Sequence, residues 1–157
     1  MGLAVGSLVR ARIVLASLLV LSATVPASSQ ITGAWLTDVR DGVVDIRSCG
    51  GGLVCGYIVS ILKDYGRGAA VRDELNENAK LRSRPICGLP TLGKLKQLGP
   101  NTWGEGWVYD PKRGKTFSVE VTLSRPGTLS VRGYKGVKML GQTVVWTRAA
   151  PNLPKCK

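Results

Sequence analysis

The chain has 157 residues, 22 Lys and Arg against 10 Asp and Glu for a formal net charge of +12, and no histidine. That length suits one ordinary domain around one core. The missing histidine removes the commonest general base and metal ligand, which excludes serine triads and His-based metal centres.

The first segment is built unlike the rest. Arg10 and Arg12 precede the apolar run "IVLASLLVLSAT", and "VPASSQ" follows with Val25 and Ala27 at the spacing of a signal-peptidase site. These three regions predict a secretory signal peptide over 1–27, a single mature domain over 28–157, and a periplasmic or secreted location. A membrane anchor would need about 18 uninterrupted apolar residues; Ser17, Ser22 and Thr24 shorten the run, and no cysteine stands at the cleavage point to take a lipid. Charge is uneven downstream: five Lys/Arg against seven Asp/Glu over 28–79, then fifteen against three over 80–157. An exported chain rarely meets nucleic acid, so phospholipid headgroups, lipopolysaccharide or acidic polymers are the anions this basic half would contact, unless its cations only solvate outward strand faces.

The mature region reads as successive short strands. "ITGAWLTD" is the first, and "VVDIRSC" and "LVCGYIVSIL" form a hairpin joined by Gly50-Gly51-Gly52, which accept positive φ. In an oxidising compartment the four cysteines are expected to pair. The hairpin can set Cys49 opposite Cys55 at disulfide distance, which leaves Cys87 with Cys156. A zinc site lacks C-x-x-C knuckles, and a redox pair lacks the C-x-x-C helix start. Next, 63–91 is rich in Gly, Asn and charge and reads as a long loop or, around Val71 to Leu81, one short helix. "TLGKLKQLG", "NTWGEGWVYD", "KTFSVEVTLS", "LSVRGYKG" and "GQTVVWTR" complete the series, with Phe117, Val119, Val121 and Leu123 alternating onto one face.

Eight antiparallel strands joined mostly by hairpin-sized connections predict an all-β, up-and-down barrel, with a two-sheet sandwich as the rival. Gly33-Ala34-Trp35 on the first strand and Arg148 on the last look like the calycin arrangement of lipocalins, in which an arginine caps a G-x-W tryptophan. The physical content is a cation over an indole face, a structural role for Gly33, Trp35 and Arg148.

Further pieces, "GAWLTD", "CGGGLVCG", "LRSRPICGL", "WGEGWVYDPKRGKTF", "LSVRGYKG" and "QTVVWTR", run in order over nearly all of 31–148. In them the chain resembles small exported bacterial proteins, the domain of unknown function 2147 family. The resemblance implies a calycin-like barrel and an envelope location, and no reaction. Glu77 and Asn78 depart from the Asp-Asn-Pro type of turn usual there.

Little points to catalysis. Asp38, Asp41 and Asp45 cluster at a turn, where acids are commonly solvated. "DELNEN" carries oxygen ligands, but from Asp73 it places Leu75 and Asn78 where an EF-hand needs an acid or amide and a glycine. No cofactor and no metal is implied, and no enzyme is expected. The suggestive stretch is "WGEGWVY": period two puts Trp103, Glu105, Trp107 and Tyr109 on one face. Facing inward, they would line a cavity for a small apolar or amphipathic ligand, with Arg84, Arg82 or Arg132 neutralising Glu105. The alternative is a solid barrel that docks through its basic surface, with Lys112, Arg113, Lys115, Arg125, Lys135 and Lys138 forming the patch.

Overall fold

The computed structural model describes residues 1–2, 30–63 and 71–156. The expected signal peptide lies almost entirely outside the described residues. Eight strands, β1 (Gly33–Leu36), β2 (Gly42–Gly50), β3 (Leu53–Ile61), β4 (Pro90–Gly99), β5 (Thr102–Asp110), β6 (Lys115–Arg125), β7 (Thr128–Tyr134) and β8 (Gln142–Arg148), pair in sequence order and close into a barrel. Closure comes from β1 against β8, with Trp35 opposite Arg148 and Leu36 opposite Thr147. This is the expected up-and-down barrel and not the two-sheet sandwich: the first and last strands pair, so the sheet has no free edge there.

One end is plugged. Ile31, Trp35, Ile46, Leu95, Trp103, Val121 and Leu129 are each at most 1% exposed, and together they belong to one apolar core. Trp35 donates from Nε1 to the Ile31 carbonyl at 2.7 Å. Arg148 lies 3.9 Å from the centre of the Trp35 ring and donates to the carbonyls of Thr32, at 2.6 Å, and Gln30. Gly33 must be glycine here. Its φ is 105°, and a Cβ would stand 2.9 Å from the Arg148 guanidinium. The arginine thus fastens the N-terminal segment while stacking on the indole.

The 71–89 segment contains no α-helix. It is a loop with one 3-10 turn, Ala79–Leu81, which Asn78 caps by accepting from Lys80 N. Polar side chains in this stretch bond to one another and to the barrel wall in preference to continuing a helical ladder, as Asn and Asp commonly do.

Two disulfides fasten the chain, Cys49–Cys55 and Cys87–Cys156. The first pair is not directly opposed, as the hairpin reading had it. Arg47 faces Cys55, and a bulge between Ser48 and Gly50 brings Cys49 within a Cα separation of 5.7 Å. The second carries the tail to β3, where Cys156 N bonds the Val59 carbonyl at 2.8 Å and Ser60 Oγ donates to the Pro154 carbonyl.

Candidate functional site

The barrel's other end is open. A cavity of about 890 Å³ enters between the β1–β2, β5–β6 and β7–β8 connections and the 71–89 segment. Its wall includes Ile58, Val108, Phe117, Val131, Val144 and Trp146. The register explains their convergence. Val108 faces Phe117 across β5 and β6, and Val131 faces Val144 across β7 and β8, so the alternation of each strand delivers an apolar side chain to the same interior. Gly133 keeps this half roomy, because a Cβ there would only just touch Val108 Cγ1 at 3.4 Å. Apolar walls of this size with polar groups at the rim are the usual build of a small-molecule pocket.

Charged side chains ring the entrance. Lys112, on the β5–β6 turn, pairs with Asp41, on the β1–β2 turn, and these two hairpins stand half-way round the ring from each other. Burial opposes ionisation of Asp41, but hydrogen bonds from Lys112 and Thr37 and the nearby ammonium outweigh it and hold its pKa below the ordinary 3.8. Arg113 pairs with Asp110 at 3.4 Å and donates to Gln142 at 3.1 Å. Lys135 lies 5.8 Å from the ring centre of Phe117.

Of the "WGEGWVY" face, Tyr109 borders this cavity, and Trp103, Glu105 and Trp107 do not. Lys94 on β4 and Glu105 on β5 both have positive φ, 54° and 59°, and the β5–β6 register shifts between Trp103 and Gly106. That bulge breaks the period-two phase. Trp103 stays inside, buried in the core at the plugged end. Glu105 is exposed and pairs with Lys96 at 3.2 Å. Trp107 and Tyr109, opposite Ser118 and Thr116, leave the sheet on the side away from Val108 and Phe117, and Tyr109 is buried under the 71–89 segment, where it reaches the cavity rim. Nor is Arg84 a partner for Glu105; its carboxylate is Asp73, at 2.8 Å. Arg132 donates to Thr143 and to the carbonyls of Lys138 and Met139, and Arg82 to the Asn76 carbonyl.

Asp73 was legible only as part of a polar run, yet its side chain is fully buried. It accepts from the Tyr109 hydroxyl, from Asn76 Nδ2 at 2.8 Å and from Arg84 Nε at 2.8 Å. The guanidinium also lies 5.4 Å from the Tyr109 ring centre. Burial first, and the Asp73 carboxylate second, push the Tyr109 phenol above its usual pKa. A buried carboxylate held by three donors is satisfied structurally, so this network anchors the loop to the outer wall. The residues read as a calcium possibility, Asp73, Asn76, Glu77 and Asn78, bond instead to protein groups. Among the described residues no cluster of three or more His, Cys, Asp or Glu could hold a metal ion.

Most of the basic patch is already engaged: Lys112 with Asp41, Arg113 with Asp110, Lys138 with Glu120, and Lys115 with Glu77 at 4.0 Å. No helix among the described residues is long and apolar enough to cross a membrane.

A family match and one solved structure agree with this architecture. Residues 33–148 match the model of a family described as "Uncharacterized protein conserved in bacteria (DUF2147)", and the chain belongs to that family. A solved structure, described as protein HP1028 from the human pathogen Helicobacter pylori belonging to the lipocalin family, is 27% identical with a TM-score of 0.67, over 77% of this chain and 84% of that one. A redesigned β-barrel is 14% identical with a TM-score of 0.43, over 82% of this chain and 100% of that chain. No curated protein matches.

Proposed function

We propose, from the premise that this chain is a DUF2147 protein with a lipocalin-like neighbour, that it is an exported, non-enzymatic binding protein for a small apolar or amphipathic ligand. The single observation that carries the reading is the one-ended cavity walled by Ile58, Val108, Phe117, Val131, Val144 and Trp146. Such a wall favours a ligand with a substantial apolar part, and the charged entrance favours a polar end left near water. Export is supported by the two disulfides, which persist in oxidising compartments. A binding role without chemistry is supported by two of the acids that line the cavity: Asp41 and Asp110 are each paired with a cation.

The test is titration of the mature protein with fatty acids, lysolipids and aromatic amphiphiles, read by tryptophan fluorescence and by native mass spectrometry. Trp146 lines the cavity and is the reporter, so Trp146→Phe should remove most of the signal change while the complex persists by mass. Absence of any bound species across the panel by both measurements would overturn the reading.

A further inference from the structure

The outer wall carries a second feature, on the opposite side of β5 from the cavity. The indole of Trp107 lies on Gly93: a Cβ built there would fall 2.1 Å from Cε2, 2.2 Å from Cζ2 and 2.5 Å from Nε1. Near-equal distances to three ring atoms place the glycine beneath the ring face. Any larger residue at 93 would lift the indole off the sheet. The other face of the ring therefore turns outward, toward a groove of about 390 Å³ between the wall and the 76–84 loop.

That groove is chemically mixed. Along it stand Glu77, Asn78, Arg84 and Thr116. Asn78 uses its carbonyl oxygen to cap the 3-10 turn, and among the described residues no hydrogen bond occupies its Nδ2, the Thr116 hydroxyl or the Trp107 indole N–H. Arg84 gives Nε and one terminal nitrogen to Asp73, which leaves its other terminal nitrogen for a ligand. The buried Asp73–Tyr109–Asn76 network fixes the loop's distance from the indole.

We infer that this groove is a saccharide-binding site, separate from the barrel cavity, with Trp107 as the stacking platform and Asn78, Glu77 and Arg84 as hydroxyl partners. A sugar ring has one face of C–H groups, which packs on a flat aromatic ring, and an equatorial rim of hydroxyls. Planar amide, carboxylate and guanidinium groups meet that rim with hydrogen bonds of fixed direction. The groove runs along the outer wall over the indole, so it suits a ring lying flat on that face.

The experiment uses the mature protein with maltotriose, cellotriose and diacetylchitobiose as probes, up to about 10 mM because a contact of one or two rings binds near the millimolar range. Saturation-transfer NMR should show at least one of the three bound through its ring C–H protons. Trp107→Ala should weaken that sugar at least about tenfold, the loss of a 1.4 kcal/mol contact, and Trp107→Phe should restore part of it. Asn78→Ala, on an exposed loop, tests the same groove without touching the barrel wall. The cavity-filling Gly133→Leu should leave sugar binding unchanged, which separates this site from the lumen. No binding by the wild-type protein, or binding indifferent to both Trp107→Ala and Asn78→Ala, overturns the inference.

Discussion

The Lys112 ammonium bonds the Asp41 carboxylate across the barrel entrance, joining two hairpins that only the diameter of the ring brings face to face. Asp41→Asn should speed ligand release more than it weakens affinity, because the contact closes a path and touches no part of the apolar wall. Stopped-flow displacement of a fluorescent amphiphile reads the release rate, and an unchanged rate would show that the pair does not gate entry. The pH dependence has a definite sign. The folded pKa of Asp41 lies below 3.8, so its contribution to stability is complete above the unfolded value and lost as pH falls through the folded one. With Lys112 largely exposed, screening limits that contribution to about 1 kcal/mol or less. Chemical denaturation at pH 3 and pH 6, wild type against Asp41→Asn, checks it, and a mutant penalty larger at the lower pH would contradict the assignment.

Filling the cavity should abolish amphiphile binding without harm to the fold. At Gly133 a Cβ meets only ordinary contacts, with Val108 Cγ1 at 3.4 Å and Phe117 Cβ at 3.8 Å. Gly133→Leu therefore projects a branched side chain into empty volume and adds apolar burial worth up to about 2 kcal/mol. A thermal midpoint held or raised, with affinity down at least about tenfold, is the expected pair of results.

The two disulfides should differ in weight. Cys49–Cys55 closes a sequence separation of 6 and Cys87–Cys156 one of 69. Loop entropy then assigns about 2 kcal/mol to the first and about 4 kcal/mol to the second. Urea denaturation of the paired Cys→Ser variants measures both, and equal losses would contradict the ordering.

Tyr109→Phe should destabilise the loop anchor by about 1–3 kcal/mol, since it leaves the buried Asp73 oxygen without one of its donors. Hydrogen exchange should localise the loss to 71–86 and spare β6 and β7. In wild type, the raised Tyr109 pKa means its contribution is whole below the unfolded value near 10 and disappears as pH rises through the folded one.

Trp35→Ala removes a fully buried indole and should cost about 3–5 kcal/mol. Arg148→Ala should cost less, about 1–2 kcal/mol, for the lost stacking and backbone contacts. Equal penalties by thermal melting would mean that the arginine, rather than the indole, organises the plugged end.

What the residues alone disclosed was whatever repeats with a period. Alternation in "KTFSVEVTLS" pointed to an inward row, and Phe117, Val119 and Val121 form one. Gly33, Trp35 and Arg148 were readable because their chemistry needs each other at fixed strand positions. "WGEGWVY" misled because it alternates perfectly on paper, whereas the chain inserts a bulge at Glu105 opposite another irregularity at Lys94. The glycines at 104 and 106 were the available warning, since glycine inside a strand often marks a bulge. Asp73 gave no warning at all. A carboxylate in a polar run looks solvated until the fold brings Arg84 and Tyr109 to it from farther along the chain.

Of all the joins around the cylinder, two are sparsely stitched: β1 to β8, and β3 to β4, where only Val54–Leu95, Gly56–Leu92 and Tyr57–Pro90 stay in register. Each has its own fastener, Arg148 for the former and the Cys87-tethered tail along Val59 and Ser60 for the latter. A reductant therefore slackens the β3–β4 seam and leaves the β1–β8 seam sewn.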